Sequence, residues 1–483
     1  MLTHILKLTL CHPDVPLHYI STRSLAPKLS FSDAMLAGLA RDGGLYMPES
    51  WPVLSQGTIA GFAGQSFAAV AEAVIAPFTD IAAPALAKMI AASAATFRHA
   101  ATTPLVQISD NIFVLELFHG PTLAFKDVAM QLLGRLMDHE LKARGQWATI
   151  VGATSGDTGA AAIEAFAGLD QVDVFILYPH GKVSEVQRRQ MTTVSSPNIH
   201  AIALEGTFDD CQNIVKGLFS HHEFADATSL SGVNSINFAR VMAQASYYFT
   251  SAVALGAPHR KISFCVPTGN FGDALAGFIA KRMGLPIGRL VVATNANDIL
   301  VRTLATGIYD LRKVEATQSP SMDIQISSNF ERLLFEAYGR DGAATRGLMD
   351  SLKQSRSFTI APGPLAAIRA EFDAGRADEA QTTAEMTRTF RDTGYVLDPH
   401  TAVAMAVARQ EQPKHAAVPM VVLGTAHPAK FPDAVEKATG LRPALPPHLA
   451  DLLARKEHFT VLANNQADIE HFMQRNIRQA KGP

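Results

Sequence analysis

Apolar and polar positions follow two different periods along this chain, and the change comes at about residue 101. Before it, residues 57–99 are alanine-rich with apolar positions three and four apart, the spacing of helices that pack by one face. Beyond it, short apolar runs recur at 112–117, 148–152, 172–178, 199–204, 262–266, 290–294 and 419–423, each the length of a strand buried on both faces. Amphipathic stretches lie between most of them, at 160–168, 209–219, 238–255 and 273–283. The alternation predicts an α/β architecture, parallel sheet covered by helices, with ligands held in loops at the carboxyl ends of strands. From Arg340 to Gln412 the composition turns helical and charged, most clearly over 378–391. Pro443, Pro446 and Pro447 then mark a break before a last helical stretch, 449–478. The expected units are a mainly helical N-terminal domain (1–100), a larger α/β domain (101–150 with 251–440), a smaller α/β domain (151–250) and a C-terminal helical tail (441–483).

Composition narrows the partners. A chain of 483 residues is too long for one ordinary core, which fits the two or three units above. A net charge of −2 offers no basic field for nucleic acid or an anionic membrane, so an anionic substrate must be caught by local groups. No apolar run is long enough to span a bilayer. The start, Met1 to Leu10, is apolar but interrupted by His4 and Lys7 and reads as an extension before Tyr19 rather than a signal. Cys11, Cys211 and Cys265 are far apart and form no Cys-x-x-Cys, which argues against a disulfide framework or zinc site and for a cytoplasmic protein.

Candidate chemistry lies in loops after the apolar runs. In His119-Gly120-Pro121-Thr122-Leu123-Ala124-Phe125-Lys126-Asp127, a strand end meets a Gly-Pro turn, and helical spacing begins at Val128. Lys126 therefore stands where the loop enters a helix, at the floor of a cleft. Lysines ordinarily sit on solvated faces with their stems laid over neighbours such as Phe125. A desolvated amine at this junction instead has a lowered pKa and forms a Schiff base with a carbonyl cofactor. In Thr154-Ser155-Gly156-Asp157-Thr158-Gly159, hydroxyls and a helix start make either a seat for a carboxylate or phosphate, or a capped turn. Asp157 argues against a strongly anionic ligand beside its own carboxylate. Gly269-Asn270-Phe271-Gly272-Asp273 leads into another helix, where close backbone approach and free N–H groups favour a phosphate; no Walker lysine follows, which disfavours a nucleoside triphosphate. In Thr425-Ala426-His427-Pro428-Ala429-Lys430, the Thr425 hydroxyl suits a ring nitrogen, while His427 and Lys430 hold an anion or cap the next helix. Asp398 and Thr401 read as helix caps. Lys182 and Arg240 are cationic candidates for a substrate phosphate, or surface and capping charges. The N-terminal stretch around Asp42-Gly43-Gly44-Leu45-Tyr46 reads as a packing unit. A reactive lysine, a phosphate cradle without nucleotide features, a hydroxyl loop and a hydroxyl for a ring nitrogen are together what pyridoxal phosphate needs.

On these residues the chain resembles threonine synthases of the longer microbial and fungal form, within the β-family (fold type II) of pyridoxal-phosphate enzymes. The resemblance is carried by Tyr19-Ile20-Ser21-Thr22-Arg23, Asp42 to Tyr46, His119 to Thr122 with Phe125-Lys126-Asp127, Ser155 to Gly159, Gly181-Lys182-Val183-Ser184, Asn234-Ser235-Ile236-Asn237, Gly269 to Asp273, Asp398 to Ala402 and His427 to Phe431. It implies two α/β domains around mainly parallel sheets plus a helical N-terminal domain. It also implies pyridoxal 5′-phosphate as cofactor and a carbon–oxygen lyase reaction: O-phospho-L-homoserine and water give L-threonine and phosphate by γ-elimination and water addition at Cβ, the last step of threonine biosynthesis. By the same resemblance Lys126 is the Schiff-base lysine and proton carrier, and Gly269, Asn270, Phe271, Gly272 and Asp273 surround the cofactor phosphate. Thr425 faces the pyridine nitrogen. Ser155, Asp157 and Thr158 lie toward the substrate carboxylate or the ring hydroxyl, and Lys182, Asn234, Asn237 and Arg240 are candidates for binding substrate. Ser24 stands where the family usually has glycine, which bears on the local turn alone. A related phospholyase releasing phosphate and a keto acid, and a non-catalytic ligand-binding homologue, share the same motifs.

Overall fold

The computed structural model describes residues 17–478, so the apolar start and Cys11 lie outside the described residues. Two sheets organise the chain. Their strands are β1 (Leu105–Ser109), β2 (Ile112–Glu116), β3 (Ala148–Ala153), β4 (Val172–Pro179), β5 (Ile199–Glu205), β6 (Leu230–Ser231), β7 (Ile262–Pro267), β8 (Ile287–Thr294), β9 (Phe372–Arg376), β10 (Met420–Gly424) and β11 (Thr460–Ala463). The larger sheet runs β9-β8-β7-β10-β2-β1, parallel except for β1, and the smaller runs β11-β5-β4-β3-β6, parallel throughout. Each of the seven apolar runs in the sequence is one of these strands.

The four strands that the apolar pattern does not show, β1, β6, β9 and β11, are the four sheet edges. An edge strand is covered on fewer sides, so it carries no continuous apolar run; β11, for example, alternates between half-buried and exposed residues. The last stretch therefore departs from the expected helical tail. It holds β11, paired in parallel with β5 from Thr460 opposite Ile202 to Ala463 opposite Glu205, and then one helix, Gln466–Asn476.

Six helices matter for the site: α1 (Lys126–Arg144), α2 (Asp157–Phe166), α3 (Glu185–Thr192), α4 (Phe238–Ala254), α5 (Gly272–Arg282) and α6 (Pro399–Glu411). α1 leaves the end of β2 in the larger sheet and stops before β3 in the smaller, ended by Gly145 in the left-handed conformation (φ 61°), which costs glycine nothing. α4 is buried along nearly its whole length, packed against α5 on one side and the N-terminal helix Phe67–Ile75 on the other. The N-terminal unit is helical as expected, apart from a short hairpin of Tyr19–Ser21 with Tyr46–Pro48. Because β7, β10 and β2 are adjacent and parallel, the loops that leave their carboxyl ends emerge side by side.

α1 and α2 pack closely because Gly134 lacks a side chain: a Cβ there would lie 2.6 Å from the Ala165 carbonyl oxygen. Gly134→Val should push the two helices apart and lower stability by about 1–3 kcal/mol, measured as a fall in the denaturant midpoint.

Candidate active site

The loops after β2 and β10 are tied to one another by their backbones. The Phe125 N–H donates to the Thr425 carbonyl at 2.9 Å and the His427 N–H to the Leu123 carbonyl at 3.0 Å. Asp127, fully buried, accepts the Thr122 N–H at 2.8 Å and the Thr122 hydroxyl at 2.7 Å. Burial pushes its carboxyl up to about 6 despite these bonds. Gly120 is required beside it, since a Cβ would lie 2.5 Å from Asp127 Oδ2. Lys126 is thus held rigidly at the first position of α1.

The Lys126 side chain is 12% exposed, with Nζ 4.9 Å from the Phe125 ring centre and 3.5 Å from Asp157 Oδ2. Its pKa falls below the ordinary lysine value, first through burial and also through the charges of Lys430 and Arg240, with Asp157 opposing. Burial disfavours the Asp157 charge as well, yet Lys430, Lys126 and a bond from Gln187 Nε2 at 2.8 Å hold its carboxyl well below the usual range. The Ser321 hydroxyl approaches Asp157 Oδ2 at 3.4 Å.

Lys430 neither caps a helix nor faces an open anion seat. It is completely buried, and Nζ reaches the Thr122 carbonyl at 2.7 Å, Gln190 Oε1 at 3.0 Å and Asp157 Oδ1 at 2.9 Å. His427 provides the cap instead, Nδ1 accepting the Ala429 N–H at 3.1 Å; burial lowers its pKa to about 4. Asp398 caps α6, and His400 Nδ1 pairs with Asp398 Oδ1 at 2.9 Å. His400 Nε2 accepts the Ser321 N–H at 3.2 Å, which assigns the ring proton to Nδ1.

The loop from Gly269 to Asp273 is shaped from outside. Phe271 is left-handed (φ 62°) and turns its ring into the core against Phe330 and Phe372. A Cβ on Gly269 would lie 2.7 Å from the Ser321 carbonyl oxygen. The Asn270 carbonyl accepts the Asn329 N–H and Nδ2, both at 3.1 Å. Asn329 is in turn held by Arg332, whose fully buried guanidinium also donates to the carbonyls of Tyr46 (2.9 Å) and Ile236 (2.6 Å). Asp273 Oδ1 accepts the hydroxyls of Tyr247 and, at 3.1 Å, Tyr248, while Oδ2 has no partner; burial pushes this carboxyl up to about 7. Arg240 spends Nη1 on the Val233 carbonyl at 2.9 Å and leaves Nε buried and unpartnered; burial lowers its pKa to about 10.

Of the other candidates, Thr425 is buried beside the Lys126 loop, and Ser155 and Thr158 are half-buried at the start of α2. Lys182 is exposed and donates to the Gly206 carbonyl at 3.1 Å, and Asn234 is exposed. Asn237 spends both ends of its amide on backbone, capping α4 at Ala239 N–H (3.1 Å) and donating to the Met35 carbonyl (2.8 Å). Gln187, Gln190, Ser321, Asn329 and Arg332 were not among the sequence candidates.

A family model described as pyridoxal-phosphate dependent enzyme matches residues 96–425, and the fold is that of this class. Models for the threonine synthase N terminus and the threonine synthase C-terminal region match residues 18–94 and 401–473. The threonine synthase of Pseudomonas aeruginosa is 51% identical, over 96% of this chain and 100% of its own. The crystal structure of pyridoxal-phosphate-bound threonine synthase from Brucella melitensis superposes with a TM-score of 0.94 at 60% identity, over 96% of this chain and 100% of that one. The yeast threonine synthase structure gives 0.92 at 39% identity, over 97% and 100%. The chain belongs to the threonine synthase family.

The raised carboxyl of Asp273 makes stability pH-dependent. Its folded value of about 7 lies above the unfolded value of about 4, so its contribution is fully present below pH about 4 and is lost as pH rises through about 7. Asp273→Asn, in cofactor-free protein, should gain stability relative to the parent across that window, read from denaturant midpoints at each pH.

Proposed function

We propose that this chain converts O-phospho-L-homoserine and water to L-threonine and phosphate with Lys126 as the lysine that holds pyridoxal phosphate. The carrying observation is the buried Lys126 Nζ, facing Asp157 at 3.5 Å and joined through its loop to Thr425. The residues fit the cofactor. The first turn of α5 leaves N–H groups without intrahelical partners, a Cβ on Gly272 would meet nothing closer than 3.4 Å, so the backbone there stands open to a ligand, and on α4 the buried Arg240 Nε is an unpartnered donor. When bound, pyridoxal phosphate supplies an electron sink for negative charge developing on the substrate carbons.

The chain's own groups do the rest. The backbone from Gly269 to Asp273, with the first turn of α5, would hold the cofactor phosphate, and the neutral Thr425 hydroxyl would serve its ring nitrogen. Asp157 aims Lys126 Nζ, which removes and returns protons at Cα and Cβ of the substrate. Ser155 and Thr158 bind the substrate carboxylate. Of the cationic candidates, Arg240 is the buried one with an unspent donor, which suits it to an anionic group. The free, buried thiols of Cys211 and Cys265 support a cytoplasmic location.

Lys126→Ala should abolish both turnover and the visible absorbance that marks covalent cofactor attachment; a variant that keeps that absorbance refutes the assignment. Incubation of the parent with O-phospho-L-homoserine should release phosphate and threonine in equal amounts, whereas phosphate with a keto acid and no threonine identifies a phospholyase. Gly272→Asp places a carboxylate against the cofactor phosphate and should weaken cofactor binding at least about tenfold, measured by equilibrium titration.

A further inference from the structure

Lys430 has no place in the reaction as described, yet it is the most completely enclosed cation beside Lys126. Its Nζ donates to the Thr122 carbonyl and Gln190 Oε1 and forms an ion pair with Asp157 Oδ1 at 2.9 Å. These partners come from three places, the loop before α1, α3 and α2. Lys430 is completely buried among them. A pin between loops needs no charge, because a well-packed neutral side chain does that work without the cost of desolvating an ion. What a cation adds is its effect on Asp157, which it approaches at 2.9 Å while Lys126 stands at 3.5 Å.

We propose that Lys430 is a positioning residue for Lys126: it occupies Asp157 Oδ1 at 2.9 Å, confines that carboxylate to facing Lys126 through Oδ2 at 3.5 Å, and offsets its charge. Lys126 then reaches the unprotonated, nucleophilic form at lower pH than beside an unshielded Asp157. The charged and titratable groups facing Lys126 are Asp157 on α2, Lys430 after β10, Arg240 on α4 and Asp273 on α5, with His400 on α6 acting on Asp157. Burial, Lys430 and Arg240 all lower the Lys126 value, and Asp157 raises it. Removing Lys430 and removing Asp157 must therefore move Lys126 in opposite directions, a signature that simple loosening of the fold does not produce.

The inference rests on Lys126 being the cofactor lysine, and its test separates the two. Full-length enzyme stripped of cofactor is mixed with pyridoxal phosphate, and the rate of covalent capture is followed by visible absorbance as a function of pH. The unprotonated Nζ forms the C=N bond with the cofactor aldehyde and one water leaves. Lys430→Met should move the midpoint of this profile to higher pH by about one unit, a roughly tenfold slower capture below it. Lys430→Arg, which keeps the charge, should restore the parent midpoint, and Asp157→Asn should move it to lower pH. An unmoved midpoint in Lys430→Met overturns the proposal. If that variant does not fold, Asp157→Asn decides: a midpoint that stays or rises overturns the proposal equally. Covalent capture by Lys126→Ala refutes the cofactor assignment itself, whereas its loss together with an unmoved Lys430→Met midpoint refutes only the role of Lys430.

Discussion

A carboxylate buried between two ammonium groups is the constraint on which the rest of this site depends. Taking each of the three ions out of water costs several kcal/mol, and the cost is met only while all three stay in register. Asp157 begins a helix of the smaller sheet, while Lys126 begins the helix after β2 and Lys430 follows β10 of the larger one. The triad therefore ties the two sheets together at the Lys126 loop. Its geometry depends on the absence of a side chain at Gly156, whose φ of 145° and whose Cβ position 2.4 Å from Gln187 Cδ leave glycine as the residue that lets Gln187 reach Asp157.

A second buried cation organises the opposite wall. Arg332 is paired mainly with carbonyl oxygens, and through Asn329 it draws together Tyr46 from the N-terminal hairpin, Ile236 before α4 and Asn270 in the glycine loop. Beside it, Glu331 accepts bonds from Thr22 (2.6 Å) and Arg23 (3.0 Å). The N-terminal unit is thus more than packing: its Tyr46 carbonyl accepts from Arg332, and its Thr22 and Arg23 donate to Glu331, which ties it to the helix that steadies the glycine loop. Losing one such partner leaves a buried donor short of a bond, a loss of about 1–3 kcal/mol.

The interior strands and the loops after them were legible in sequence because burial on both faces demands uninterrupted apolar runs, and because a strand followed by glycine, hydroxyl residues and a helix start is a pattern with a physical cause. Lys126 stood out for that reason. Lys430 did not, since three residues after His427 it looks like any cap or anion ligand, and only the fold brings Thr122, Gln190 and Asp157 around it. Ser321, Asn329 and Arg332 lie in or just after the irregular stretch between β8 and β9, where no period marks a residue as buried. Asn237 and Lys182 also sit in motif-like stretches; the fold uses the first as a helix cap and leaves the second exposed, donating to the Gly206 carbonyl.

The edge position of β11 has a consequence for how the molecule comes into being. β3, β4 and β5 are made early, but the strand that covers β5 arrives some 250 residues later, followed by Arg478, whose guanidinium closes on the buried Asp173 at 2.6 Å. During synthesis the smaller sheet must wait with its β5 flank open and its Asp173 without Arg478 while four strands of the larger sheet, β7 to β10, emerge. Such a long delay favours completing the two sheets together rather than one after the other, because closing a distant contact pays its entropy only once the intervening chain is compact. Residues 460–478 are then the ones that seal the sheet begun at β3.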